Sequence, residues 1–383
     1  MRKGWSSVVR FLFACGGTAG HVNPALAIAG RLCELFPDSE VLFVGAKGNM
    51  ETELVPMAGY EIETVKITNL QRGFSMEKIA HNVRTAANIV ISRRQADKII
   101  RNFNPDVVIG TGGYVCYPVI TAAVARKIPT VIHESNVVPG LTTKSLSNVA
   151  DKILVGFEDS RAYYRRPDKV TVTGTPVRGD FFTYTKAEAR EKLGFSDDIP
   201  FVVAVWGSLG AEKMNEIMIN IVDRAEKKPF FRFICATGKR EYEAISARLG
   251  HSRLVELKNS GFDIREYIYD MPLYMSAADL VMCRAGASTL AELAALGKPA
   301  ILVPSPNVTN DHQSKNAQVM EKRGAAMLIP DATVSAENLL ATVSELLSDS
   351  ARLAEMSEKM GESGGKDCTD KVVSVILGLA AKE

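Results

Sequence analysis

Val8-Val9-Arg10-Phe11-Leu12-Phe13-Ala14-Cys15-Gly16-Gly17-Thr18-Ala19-Gly20-His21-Val22-Asn23-Pro24 is the stretch on which the fold turns. An apolar run breaks into a glycine turn, and an amphipathic segment follows, its helix expected from Asn23 or Pro24. A strand apolar on both sides is covered on both sides, as in a parallel sheet between helices. Arg2 and Lys3 ahead of the run also fit a short lipoprotein signal, but Arg10 interrupts the run and the glycine turn closes it, so we read a first buried strand.

Outward from there the same grammar recurs. Apolar, β-branched runs at 41–45, 106–110, 130–132, 153–155 and 170–173 alternate with amphipathic stretches. A second series lies at 201–206, 231–235, 280–283, 300–303 and 325–329. The pattern predicts an α/β protein of two Rossmann-like, doubly wound parallel-sheet domains. Gly174-Thr175-Pro176-Val177-Arg178 ends the first series, and a polar stretch with Asp197-Asp198-Ile199-Pro200 precedes the second. The expected domains are 1–177 and 178–365, with a last helix near 369–381 placing 366–383 back on the first. A chain of 383 residues suits two domains at roughly 150 residues each.

The net charge of +2 gives no whole-molecule attraction to nucleic acid. Residues 1–177 nevertheless carry 21 Lys and Arg against 15 Asp and Glu. Most of that excess lies in 70–101, with Arg72, Lys78, Arg84, Arg93, Arg94, Lys98 and Arg101 against Glu77 and Asp97. Ile79, Val83, Ala86, Ala87 and Val90 recur there at helical spacing, after Leu70 and Phe74. This is either a core-packed helix with a solvated basic face or a surface that leans on anionic lipid. The six cysteines have no CxxC spacing and most sit in apolar runs, the pattern of reduced, buried thiols in a cytosolic protein. No stretch reaches the ~18 apolar residues of a membrane span.

In open parallel sheets, ligands bind at the carboxyl ends of strands. Gly16–His21 and Gly110-Thr111-Gly112-Gly113-Tyr114 are both strand-end glycine turns opening helices, which suit anions. His21 is either a helix-start residue or a general base, since an imidazole titrating near about 6.5 takes a proton at neutral pH. Glu134, in His133-Glu134-Ser135-Asn136, is a base, a supporting carboxylate or a cap. In the second half, Gly207-Ser208-Leu209-Gly210-Ala211 and Arg284-Ala285-Gly286-Ala287-Ser288-Thr289 again open helices. Ser288 and Thr289 share a helix face with Glu292, which places a hydroxyl pair for a diphosphate and a carboxylate for a ribose. Asp311-His312-Gln313 and Asn316 offer amides to sugar hydroxyls. No Asp-x-Asp triplet or metal-spaced cluster occurs, so helix starts and arginines are expected to carry the diphosphate charge, with no metal and no cofactor. Gly-x-Ser-x-Gly, the α/β-hydrolase elbow, is absent too.

Taken in order, seven motifs resemble the peptidoglycan N-acetylglucosaminyltransferase (MurG) family over nearly the whole chain. They are Gly16–Ala27, Gly112-Gly113-Tyr114-Val115, His133–Asn136 with Pro139-Gly140-Leu141-Thr142, Gly174–Arg178, Gly207–Ala211, Cys283–Thr289, and Asp311-His312-Gln313 through Asn316-Ala317. The resemblance implies a GT-B fold, two domains facing across a cleft, and inverting transfer of N-acetylglucosamine from its UDP donor to the C4 hydroxyl of a lipid-linked muramoyl-pentapeptide. That reaction turns lipid I into lipid II at the cytoplasmic face of the plasma membrane, in peptidoglycan synthesis and hence cell shape and division. Carried over by motif, the donor side comprises Thr18, Ala19, Gly20, Asn136, Arg178, Ser208, Gly210, Ala211, Ile268 (uracil, through its backbone), Ala287, Ser288, Thr289, Glu292 (ribose), Gln313 and Asn316. Gly17, Gly112, Gly113 and Tyr114 are implied for the acceptor diphosphate. Leu70, Phe74, Arg84, Arg93 and Arg94 are assigned to a membrane patch, and His21 is preferred to Glu134 as the base. Cell-wall synthesis proteins are candidate partners. Ala19, Trp206 and Leu209 depart from the residues usual in the family. Two other readings remain: another GT-B enzyme such as a UDP-N-acetylglucosamine 2-epimerase, and a non-catalytic sugar-nucleotide-binding scaffold.

Overall fold

The computed structural model describes residues 8–67, 76–207, 210–227, 229–365 and 367–380, and the side chains of these apart from 76–87, 240 and 309. Its contacts divide the chain into two compact units, Met1–Gly179 with Lys366–Glu383, and Asp180–Gly365. Arg178 therefore belongs to the first unit.

The first unit runs β1 (Arg10–Cys15), α1 (Ala19–Leu35), β2 (Glu40–Ala46), α2 (Glu51–Met57), β3 (Glu61–Val65), α3 (Met76–Phe103), β4 (Val107–Gly112), α4 (Cys116–Ala125), β5 (Thr130–Glu134), α5 (Leu141–Leu146), β6 (Lys152–Val155) and β7 (Val170–Val172). Its seven strands lie in the order β3-β2-β1-β4-β5-β6-β7, every neighbouring pair parallel. The second unit runs α6 (Lys186–Lys192), β8 (Phe201–Val205), α7 (Glu212–Ala225), β9 (Arg232–Ala236), α8 (Lys239–Leu249), α9 (His251–Asn259), β10 (Phe262–Arg265), α10 (Met271–Ala277), β11 (Leu280–Cys283), α11 (Ala287–Leu296), β12 (Ala300–Leu302), α12 (His312–Lys322), β13 (Ala326–Leu328), α13 (Ala336–Ser348) and α14 (Ser350–Glu362). Its parallel sheet has the order β10-β9-β8-β11-β12-β13. The last helix, α15 (Cys368–Ala380), returns to the first unit.

Strand alternation builds two cores on the first sheet. Phe11, Phe13 and Cys15 of β1 point to one face, where α1 and Val372, Val373 and Ile376 of α15 cover them. Leu12 and Ala14 point to the other, under Ile99, Ile100, Val119 and Ile120. Arg31 on α1 and Asp370 on α15 are joined at 2.6 Å, beside that first core. In the second unit Trp206 is buried among Val202, Met214 and Phe233, so the departure noted at this position is a core residue.

The sequence reading misses two strands, β3 and β10, and both are sheet edges. β3 reads Glu-Ile-Glu-Thr-Val and only Val65 is buried. An edge strand covered on one side lacks the continuous apolar run that marks a central one. Helix α1 also begins earlier than expected, at Ala19 rather than near Pro24, because the amides of His21 and Val22 close on the Thr18 carbonyl. His21 thereby sits inside the first helical turn.

In both sheets the strand order reverses between the first and fourth strands of the unit, between β1 and β4 and between β8 and β11. These are the topological switch points where doubly wound sheets bind ligands. The loops after β1 and β4 meet with no side chain between them: the Gly16 amide donates to the Gly112 carbonyl at 3.2 Å, and a Cβ on Gly113 would overlap the Gly16 carbonyl. Gly113 has φ +88° and Gly48, in open space, has φ +82°. Gly48→Ala should therefore cost about 1 kcal/mol for φ alone, and Gly113→Ala more than about 3 kcal/mol, as read by urea unfolding of the two variants.

Candidate active site

At the first switch point the His21 ring is held by its own loop. Nδ1 lies 2.8 Å from the Gly16 carbonyl and 3.3 Å from Thr18 Oγ1. A carbonyl can only accept, so Nδ1 carries the proton in this bond, and in the neutral ring Nε2 is the acceptor. The ring packs against Gly112, where any Cβ would strike it. Thr111 Oγ1 donates to the His21 carbonyl at 2.7 Å, tying β4 to α1. Below this, the Cys116 thiol donates to the Ala14 and Gly112 carbonyls, and burial pushes it up to about 12, so it is a neutral strut.

Tyr114 is gripped at its hydroxyl by Asn49 Nδ2. Asn49 and the wholly buried Glu51 come from the β2–α2 connection, which the sequence reading passes over. Glu51 Oε1 accepts from Ala46 N and Oε2 from Gly17 N, each at 3.0 Å. The Gly17 amide is thus committed inside the protein, and what Gly17 presents outward is its exposed Cα.

At the end of β5, Glu134 is buried and holds its own loop. Oε1 accepts from Asn136 N and Asn136 Nδ2 at 3.1 and 3.0 Å, and Oε2 accepts from Gly140 N at 3.0 Å. Of the roles open to it, bracing is the one this geometry fits. His133 beside it donates from Nε2 to the Gly174 carbonyl at 3.0 Å and faces Ser135 Oγ at 3.4 Å.

In the second unit a Cβ on Gly210, at φ +76°, would overlap the Thr237 carbonyl, and Asn215 Nδ2 donates to that carbonyl at 2.9 Å. The loop after β8 is so pinned to the end of β9, with Ala211 capping α7. Ser208 and Leu209 lie outside the described residues. After β11, Ala287, Ser288 and Thr289 form the first turn of α11, and Ser288 Oγ donates to Glu292 Oε1 at 3.4 Å. Ile268 follows β10 and its side chain is buried, leaving the backbone as its polar edge. One expected contact is corrected, and two neighbouring side chains are engaged within the protein. Arg284 Nη1 donates to the Val303 and Pro304 carbonyls and to Asp331 at 2.6 Å. Asn316 is 0% exposed and donates to the Ala285 carbonyl at 3.2 Å, so it supports the turn before α11 instead of reading a sugar. Gln313 is partly exposed, and its Oε1 accepts from Ser305 N at 2.9 Å.

Of the basic stretch, Leu70 and Phe74 lie outside the described residues, as do the side chains of Arg84, Ile79, Val83, Ala86 and Ala87. Val90, read with the apolar face, is 55% exposed, with Ile91 at 44% beside the exposed Arg93 and Arg94. Among the described residues no helix is long and apolar enough to cross a membrane, and no group of three or more His, Cys, Asp or Glu could hold a metal ion.

Paired doubly wound sheets, each with glycine loops at its switch point, are the organisation of a GT-B glycosyltransferase. Family models agree: the glycosyltransferase family 28 N-terminal domain matches residues 11–155 and the C-terminal domain 201–372. The UDP-N-acetylglucosamine–N-acetylmuramyl-(pentapeptide) pyrophosphoryl-undecaprenol N-acetylglucosamine transferase of Caldanaerobacter subterraneus subsp. tengcongensis is 40% identical over 96% of this chain and 99% of its own. The crystal structure of Acinetobacter baumannii MurG superposes with a TM-score of 0.72 at 27% identity, covering 97% of this chain and 99% of that one. A UDP-GlcNAc 2-epimerase from Neisseria meningitidis shares the fold at a TM-score of 0.60 and 16% identity, over 97% and 100% of the two chains. The chain belongs to the MurG family of glycosyltransferases, within glycosyltransferase family 28.

Burial lowers the affinity of His133 for a proton, against the bond to Gly174 and the charge of Glu134. A folded-state value below the unfolded one means that stability is present above the unfolded value, about 6.5, and is lost as pH falls through it. The melting temperature should fall between pH 7.5 and 5.5, and His133→Gln should reduce that fall; an unchanged fall assigns the pH dependence elsewhere.

Proposed function

We propose that this chain transfers N-acetylglucosamine from UDP-N-acetylglucosamine to the C4 hydroxyl of undecaprenyl-diphospho-N-acetylmuramoyl-pentapeptide, making lipid II from lipid I with inversion at C1. The observation that carries the proposal is the end-to-end likeness to transferases of that name at 40% identity, joined to an imidazole whose Nε2 is left as an acceptor. The second unit takes the donor. The first turn of α11 supplies backbone N–H groups and the hydroxyls of Ser288 and Thr289 to the diphosphate. Glu292 accepts from the ribose, the Ile268 backbone meets uracil, and Ser208, Gly210, Ala211 and Gln313 complete the contacts.

The first unit takes the acceptor. Gly112, Gly113 and Tyr114 line its diphosphate. His21 Nε2 removes the C4 hydroxyl proton as that oxygen attacks C1. The C1–O bond to the β-phosphate breaks and UDP leaves with the electron pair. Glu134 and Asn136 hold the neighbouring loop. No cofactor enters these steps.

Radiolabelled UDP-N-acetylglucosamine with a lipid I analogue should give free UDP and labelled lipid. UDP with N-acetylmannosamine would mean an epimerase, and binding without turnover a scaffold. His21→Ala should lower kcat by about 10²–10⁴-fold with little change in donor KM.

We further propose that the enzyme works from the cytoplasmic face of the plasma membrane as a peripheral protein. Support comes from the exposed Val90 and Ile91 beside exposed Arg93 and Arg94. Apolar side chains that enter the headgroup layer and arginines worth about 1 kcal/mol each near it combine in this way. Arg84, Arg93 and Arg94 changed together to Glu should reduce co-sedimentation with anionic vesicles; unchanged co-sedimentation removes the assignment.

A further inference from the structure

We infer that Glu51 is a positioning residue for the catalytic imidazole, acting through the single peptide group that joins Gly16 to Gly17. The inference rests on the reading of His21 as the base. The carbonyl of that peptide accepts from His21 Nδ1 at 2.8 Å, and its N–H donates to Glu51 Oε2 at 3.0 Å. Carboxylate, peptide and imidazole therefore form one hydrogen-bonded chain. A carboxylate pulling on the N–H end of a peptide concentrates negative charge on its carbonyl oxygen, because hydrogen bonds in series polarise one another. That strengthens the hold on Nδ1–H and keeps Nε2 as the acceptor. A buried aspartate does this by direct contact in a Ser-His-Asp triad; here a peptide stands between the two groups.

The surroundings are shaped for this carboxylate. Gly16 and Gly45 flank it, and a Cβ on either would overlap the Glu51 side chain. Its second oxygen is fixed by Ala46 N at 3.0 Å, at the end of β2. Glu51 is the first residue of α2, where the helix dipole favours a negative charge. A wholly buried charge with two backbone donors is expensive to maintain if all it does is fill space.

The test is Glu51→Gln, which keeps the shape and removes the charge and one acceptor. We expect kcat to fall about 10- to 100-fold, the scale of a mispositioned reacting group. UDP affinity should stay within about twofold, since the uracil, ribose and donor-diphosphate contacts are assigned to the second unit. In ¹⁵N-histidine NMR spectra the His21 signal should move from the Nδ1–H toward the Nε2–H tautomer. An unchanged kcat, or a lowered kcat with an unchanged His21 tautomer, overturns the inference. Should Glu51→Gln fail to fold, Glu51→Asp, too short to reach both amides, is read by the same measurements. The tautomer needs no substrate, so a parent protein inactive on the lipid I analogue would sink the functional reading and leave this one still decided by the spectra.

Discussion

The closest constraint in the first unit is the contact of two backbones where side chains would ordinarily intervene. The loops after β1 and β4 leave adjacent parallel strands at the point where strand order reverses, and they touch through Gly16, Gly112 and Gly113. Because no Cβ separates them, the His21 ring can lie on Gly112 while its Nδ1 reaches the Gly16 carbonyl. The glycines here serve the protein's own packing before they serve any ligand. The helix start beside them inherits a defined position, which is what a reacting group requires.

The second unit solves the same problem with different parts. Its loop after β8 is anchored sideways, by Gly210 against the Thr237 carbonyl with Asn215 bonded to that same oxygen. Its loop after β11 is braced by Arg284, bonded to the Val303 and Pro304 carbonyls just after β12 and to Asp331, and by Asn316. Asn316, assigned to a sugar from its motif, is here spent on holding a loop. Among the described residues of the first turns of α11, Ser288, Thr289 and Glu292 are partly exposed. An active site of this kind presents little that is chemically distinctive, and this is why the likeness to relatives adds so much to the geometry.

Legibility followed burial. Every central strand could be read, because a chain covered on both sides is apolar at every position; the two missed strands, β3 and β10, are edges. The strand-end loops could be read for the same topological reason. Asn49 and Glu51 follow β2, where the rule for strand-end loops applies, but the apolar run there ends at Gly45 and the acidic pair in Glu51-Thr52-Glu53 looks like ordinary helix-start composition. The direction of a polar side chain cannot be deduced from its motif. Asn316 and Arg284 point inward, and Glu134 bonds three amide hydrogens of its own loop.

The helix α15 has a consequence for biogenesis. Val372, Val373 and Ile376 complete the core over Phe11 and Phe13, and Cys368 fills the space that Gly174 leaves open. During translation the ribosome must therefore produce the whole Asp180–Gly365 unit before the earlier one can bury that face. The later unit, contiguous in sequence, can close first, while its predecessor waits with an uncovered apolar surface. The cover of that face is therefore the last part of the first core to be made.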